Sequence, residues 1–105
     1  DTGKNFEAAA PLGVIHPASA VGHITAGAIT LTVNGETKQQ GDISDMIWPV
    51  ADIVAFLSRY YRLEPGDLIY TGTPAGIGPV QVGDRIVVSV EGLSDTDVTI
   101  GAARF

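Results

Sequence analysis

The residues best suited to chemistry lie in one segment, Thr71-Gly72-Thr73-Pro74-Ala75-Gly76-Ile77-Gly78-Pro79, which follows an apolar run. It combines two hydroxyls with three glycines and two prolines. Glycine lets the backbone approach a ligand closely, and successive exposed N–H groups can take an oxyanion or a carboxylate. The same composition also makes a rigid turn between strands, and the pattern leaves both readings open. No Gly-Lys-Ser/Thr follows, so this is not a phosphate-binding P-loop.

Lys4, beside Phe6 and ahead of Ala8-Ala9-Ala10-Pro11-Leu12-Gly13, is a cation next to apolar sequence. Buried, it would face an anionic substrate, but such a lysine more often carries its ammonium out to water. His16 and His23 flank Pro17 and Gly22, without a Glu or second His at helical ligand spacing, and read as surface or turn residues. In Asp42-Ile43-Ser44-Asp45-Met46-Ile47-Trp48, two acids precede a helix. Capping and dipole compensation explain them better than catalytic carboxylates do. Met46, Ile47 and Trp48 form an apolar patch suited to a core or a subunit interface. Gly-x-Ser-x-Gly is absent, which leaves no nucleophile elbow.

The elements that position these residues are short. Ala28 to Val33 alternates, with Ile29, Leu31 and Val33 on one face, and Asn34-Gly35 is the strongest two-residue hairpin signal. The return strand, Glu36 to Gln40, is polar and belongs at an edge or facing solvent. Val50, Ile53, Val54, Leu57 and Tyr61 recur at helical spacing, which predicts a helix from about Pro49 to Tyr61. Pro49 suits its first turn. Asp67 to Thr71, Arg85 to Val90 and, more weakly, Asp97 to Arg104 read as strands. Glu64-Pro65-Gly66-Asp67 and Val82-Gly83-Asp84 look alike, each a turn leading into a strand. The class is α+β, mostly β, with one packed helix, and residues 1–105 form a single unit.

Composition narrows the function. Twelve acids against six bases give a formal charge of −6, which repels phosphate backbones and argues against nucleic acid. No apolar run approaches the ~18 residues needed to cross a bilayer. Cysteine is absent, which removes disulfides and thiolate metal sites and points towards the cytoplasm.

Taken in order, the phrases resemble the fumarylacetoacetate hydrolase family. They are Lys4-Asn5-Phe6 through Ala10-Pro11-Leu12-Gly13, Val33-Asn34-Gly35-Glu36, Ser44-Asp45-Met46-Ile47, Leu57-Ser58-Arg59-Tyr60, Leu63-Glu64-Pro65-Gly66-Asp67, the Thr71 segment and Val82-Gly83-Asp84. Tyr60-Tyr61-Arg62-Leu63 is similar to the bacterial branch that acts on fumarylpyruvate in aromatic-acid breakdown. The resemblance implies a partial mixed β-roll, usually homodimeric, with a divalent metal: Mg²⁺, or else Mn²⁺ or Ca²⁺. It implies hydrolysis of a C–C bond in a β-diketo acid such as fumarylpyruvate or an acylpyruvate. Decarboxylation or isomerisation of related oxo-acids is the alternative on the same scaffold. By position, Lys4 matches the family's active-site lysine and Thr71 the threonine that binds substrate carboxylate, with Gly72 and Thr73 beside it.

One departure outweighs the matches. The family's metal ligands, a Glu-x-Glu pair and a later aspartate, lie upstream of the lysine segment, as do a histidine and glutamate of its lid. No Glu-x-Glu occurs here. The chain is therefore expected to be the C-terminal part of one catalytic domain, inactive alone and prone to association, with no metal ligand of its own. A non-catalytic binding module is the reading from outside the enzyme class.

Overall fold

Asn34 and Gly35 reverse the chain between β1 (Ala28–Val33) and β2 (Glu36–Asp42). In this computed structural model, which describes residues 11–73, 76 and 78–102, both turn residues have positive φ, 52° and 84°. Asn tolerates that region and Gly favours it, so the local sequence selects a tight hairpin whose twist suits the strands. β3 (Arg85–Val90) then pairs antiparallel with the other edge of β1, from Ile29 opposite Val90 to Val33 opposite Ile86. β4 (Thr96–Thr99) adds to β3, with Arg85 opposite Thr99. The sheet order is β2-β1-β3-β4, antiparallel throughout.

Asn34 also fixes the long-range pairing. Its Nδ2 donates to Asp84 Oδ1 and its Oδ1 accepts from the Arg85 amide, both at 2.9 Å. One turn residue thereby joins the β1–β2 hairpin to the start of β3. On β4, Asp97 lies diagonally across from Arg85 and takes three contacts from its guanidinium.

β2 carries an irregularity. Leu31 faces Gln39 whereas Thr32 faces Thr37, so Lys38 is an extra residue on the edge strand. Bulges of this kind bend a strand and re-aim its side chains. Beyond β2, Asp42 opens a single 3-10 turn, Ile43–Asp45, in a reciprocal capping box: Ser44 N donates to Asp42 Oδ1 at 2.9 Å and Asp42 N to Asp45 Oδ2 at 3.0 Å. The acids therefore cap, as the sequence suggests, though they cap this turn and not the following helix.

Helices are brief. α1 (Ala18–Val21), which the sequence reading did not anticipate, is one turn after Pro17 and stops at Gly22, where φ is 79°. α2 (Val50–Leu57) follows Pro49 and is shorter than the periodicity predicts. Ser58 Oγ bonds back to the Ala55 carbonyl at 2.8 Å, and the chain continues to Tyr61 in turns that mix i→i−3 and i→i−4 bonds. Ile53 and Leu57 are half-covered, while Val50, Val54 and Tyr61 are exposed. Trp48, Phe56 and Tyr60 follow one another with tilted rings, centroids 6.2 and 5.3 Å apart.

The predicted strand from Asp67 to Thr71 does not form: these residues lie outside the sheet. An apolar run without alternation needs a ladder partner and cover on both faces. Here Leu68, Ile69 and Tyr70 remain exposed and lie outside the sheet. The terminal strand is likewise shorter than Asp97 to Arg104; it alternates half-buried Thr96 and Val98 with exposed Asp97 and Thr99, and residues 103–105 lie outside the described residues.

No apolar side chain among the described residues is buried. Even the central strands β1 and β3 are only half-covered. The radius of gyration, 15.1 Å, exceeds the ~13 Å of a compact domain of this size. This is one open layer with a helix beside it. Among the described residues, no helix is long and apolar enough to cross a membrane.

Candidate active site

Thr71, Gly72 and Thr73 line one rim of an open cleft of about 640 Å³. Its other walls come from the β2 end (Gly41, Asp42), the 3-10 turn with Met46 to Trp48, and the α2 residues Val50 and Ile53. Hydroxyls and exposed backbone thus meet a mostly apolar wall, the usual make-up of a small-molecule site. Gly72 has φ 95°, which an L side chain rarely adopts, so the bend between the threonines depends on glycine.

The segment is anchored from behind. Gln39, with 8% exposure the one buried polar side chain among the described residues, donates from Nε2 to Thr73 Oγ1 at 2.9 Å. Gly76, at φ 103°, lies so close to the β2 bulge that a Cβ there would stand 2.6 Å from the Lys38 carbonyl oxygen. On the other side, Tyr70 Oη donates to the Pro11 carbonyl at 3.3 Å, tying the approach to Thr71 to the segment that follows Lys4. Lys4 itself lies outside the described residues, as do Pro74, Ala75 and Ile77.

Asp42 lines this cleft with its Oδ1 engaged. It takes the Gly27 amide at 3.0 Å and the Ser44 hydroxyl at 2.7 Å, besides the Ser44 amide. These donors, the Gly27 amide foremost, hold its carboxyl below the usual range. His16 Nε2 accepts from the Ser94 amide at 3.0 Å, a loop-bracing role. Among the described residues, no three of His, Asp or Glu group together to hold a metal ion. The described residues do not fit a metal centre; the Thr71 to Thr73 rim offers hydroxyls and backbone N–H groups beside an apolar wall.

Sequence reasoning missed Gln39. A polar residue in a polar edge strand carries no mark of burial, and the bulge that turns it inward is not written in the alternation.

A fold of this kind is shared with known enzymes. The chain belongs to the fumarylacetoacetate (FAA) hydrolase family, whose C-terminal family model matches residues 2–101. It is 48% identical over 104 residues to a fumarylpyruvate hydrolase from Ralstonia sp, covering 99% of this chain and 54% of that protein. Oxaloacetate tautomerase YcgM of Escherichia coli (strain K12) is 40% identical over 94 residues, 89% of this chain and 43% of that one. Among solved structures, fumarylpyruvate hydrolase from Pseudomonas aeruginosa in complex with Mn²⁺ and pyruvate superposes with a TM-score of 0.80 at 46% identity, over 83% of this chain and 37% of that chain. The chain thus spans about half the length of the curated relatives it matches.

Proposed function

We propose that this chain supplies the carboxylate-anchoring wall of a metal-dependent hydrolase that cleaves a C–C bond in a β-diketo acid such as fumarylpyruvate. The observation that carries this reading is the Thr71-Gly72-Thr73 bend, held on the rim of an apolar-walled cleft. A carboxylate there would take the threonine hydroxyls and adjacent N–H groups as donors, while the apolar wall accommodates the carbon chain. Lys4, through its match to the family's lysine, adds the positive charge that steadies an enolate or oxyanion.

The divalent cation of this reading, Mg²⁺, is held by residues outside the 105 described by the sequence; Mn²⁺ accompanies pyruvate in the Pseudomonas aeruginosa enzyme. The chain is then the C-terminal part of one catalytic domain. The exposed Ile47-Trp48 patch and the uncovered sheet support that division, since both need covering. A cytoplasmic homodimer accords with the same reading.

The second reading, an oxo-acid tautomerase or decarboxylase, is favoured by the 40% identity to the oxaloacetate tautomerase. Assay of the full-length enzyme with fumarylpyruvate and oxaloacetate separates them. Release of pyruvate and fumarate from fumarylpyruvate is the expected result. Turnover of oxaloacetate alone would remove the hydrolase reading. A binding module without catalysis predicts tight, metal-dependent oxalate binding by the 105-residue chain in isothermal titration, which our division of the site does not.

A further inference from the structure

Edge strand β2 is polar along its length, yet one of its side chains is buried. Gln39 is 8% exposed, against a sequence context of Lys38, Gln40 and Gly41 that suggests solvent. A buried carboxamide must find hydrogen-bond partners, and this one reaches across 34 residues of sequence to Thr73 Oγ1 at 2.9 Å. Two further features meet at the same place. The extra residue of β2, Lys38, directly precedes Gln39 and breaks the ordinary alternation there. Gly76 packs on both, since a Cβ at that position would lie 2.6 Å from the Lys38 oxygen and 3.3 Å from Gln39 Cγ. An irregular edge strand, a buried amide and an obligatory glycine therefore converge behind the Thr71-Gly72-Thr73 bend.

We propose that Gln39 is a positioning residue that sets the hydrogen-bond polarity of Thr73, an inference that rests on the carboxylate-anchoring reading of this bend. A hydroxyl has one proton and two lone pairs. With the Gln39 amide donating into Thr73 Oγ1, one lone pair is occupied and the hydroxyl proton is directed elsewhere. Thr73 becomes a donor towards the cleft, the role an anionic carboxylate requires. The β2 bulge is the device that turns Gln39 into this position. Because the hydrogen bond is made before the ligand arrives, Gln39 acts equally on bound substrate and transition state, so its removal weakens binding more than turnover.

The test uses the full-length enzyme and its Gln39→Ala, Gln39→Glu, Thr73→Val and Gln39→Ala/Thr73→Val variants, with pyruvate as a competitive probe alongside KM and kcat. Wild-type enzyme inhibited by pyruvate establishes the anchoring site independently of Gln39. Gln39→Ala is expected to raise KM and the pyruvate inhibition constant roughly five- to tenfold, the factor for one hydrogen bond, with kcat within about twofold. Gln39→Glu keeps the shape but takes the Thr73 proton and adds a negative charge, so it raises both constants further. In the Thr73→Val background, Gln39→Ala adds little, because its target is gone. A merely structural role would give the same Gln39→Ala penalty with or without Thr73, and that result overturns the proposal, as does an unchanged KM in Gln39→Glu. Wild-type enzyme without pyruvate affinity removes the anchoring reading and this inference together.

Discussion

Single side chains do several jobs in this chain, and the carboxylates show it best. Asp42, Asp84 and Asp97 each accept donors that hold their carboxyls below the usual range. For Asp42 the leading cause is the Gly27 amide, for Asp84 the Gln81 amide, and for Asp97 the Arg85 side chain. A group whose pKa is lower folded than unfolded stabilises the fold above the ordinary carboxylate range. That contribution is lost as pH falls through the lowered value. Urea-unfolding midpoints should therefore drop as pH is taken below about 4. Asp84→Asn should flatten that fall while lowering stability at neutral pH; an unchanged acid slope would refute the assignment. At this scale the sequence was readable where chemistry is local. Asn34-Gly35 shows its turn in two letters, and the acids around Ser44 show their capping. Gln39 was not readable, because its burial comes from a segment more than thirty residues away.

At the scale of elements, two turns repeat. Asp67 Oδ2 accepts from Glu64 N at 2.8 Å and Asp84 Oδ2 from Gln81 N at 2.9 Å, with Gly66 and Gly83 at φ 96° and 92°. The sequence likeness of these two phrases is therefore a likeness of backbone, yet only the second leads into a strand. Arg85 to Val90 pairs with β1, whereas Leu68 to Tyr70 stays outside the sheet. Local pattern sets the turn, and non-local partners decide the strand. The helix was legible for the same reason as the hairpin, but its end was not, since the periodicity runs on to Tyr61 past the switch to i→i−3 bonds at Arg59 and Tyr60. Element geometry also predicts a mutation. Gly76→Ala places a methyl group against the Lys38 carbonyl in a sparsely populated backbone region that costs an L residue about 1–3 kcal/mol. It should displace the Thr71–Thr73 bend and raise KM for the oxo-acid at least tenfold, measured by steady-state kinetics. Unaltered kinetics would show that the bend is not held by β2.

At the scale of the whole molecule, four strands hold one another, and among the described residues they bury no apolar side chain. Ile47 is 94% exposed and Trp48 58%, in the very wall that faces the glycine segment. The fold family was visible in the order of short phrases along the chain. The openness of the sheet was not, because the alternation of β1 looks the same whether or not a second layer covers it. This chain brings together hydroxyls, glycine backbone and an apolar wall, and the cation and its ligands belong to the complete enzyme in our reading. The most direct measurement is a crystal structure of that enzyme with a divalent cation and pyruvate. The account predicts the pyruvate carboxylate within hydrogen-bond distance of the Thr71–Thr73 hydroxyls or amides, with Gln39 still donating to Thr73. Pyruvate bound with its carboxylate on other groups, and this bend left without ligand contact, would contradict it.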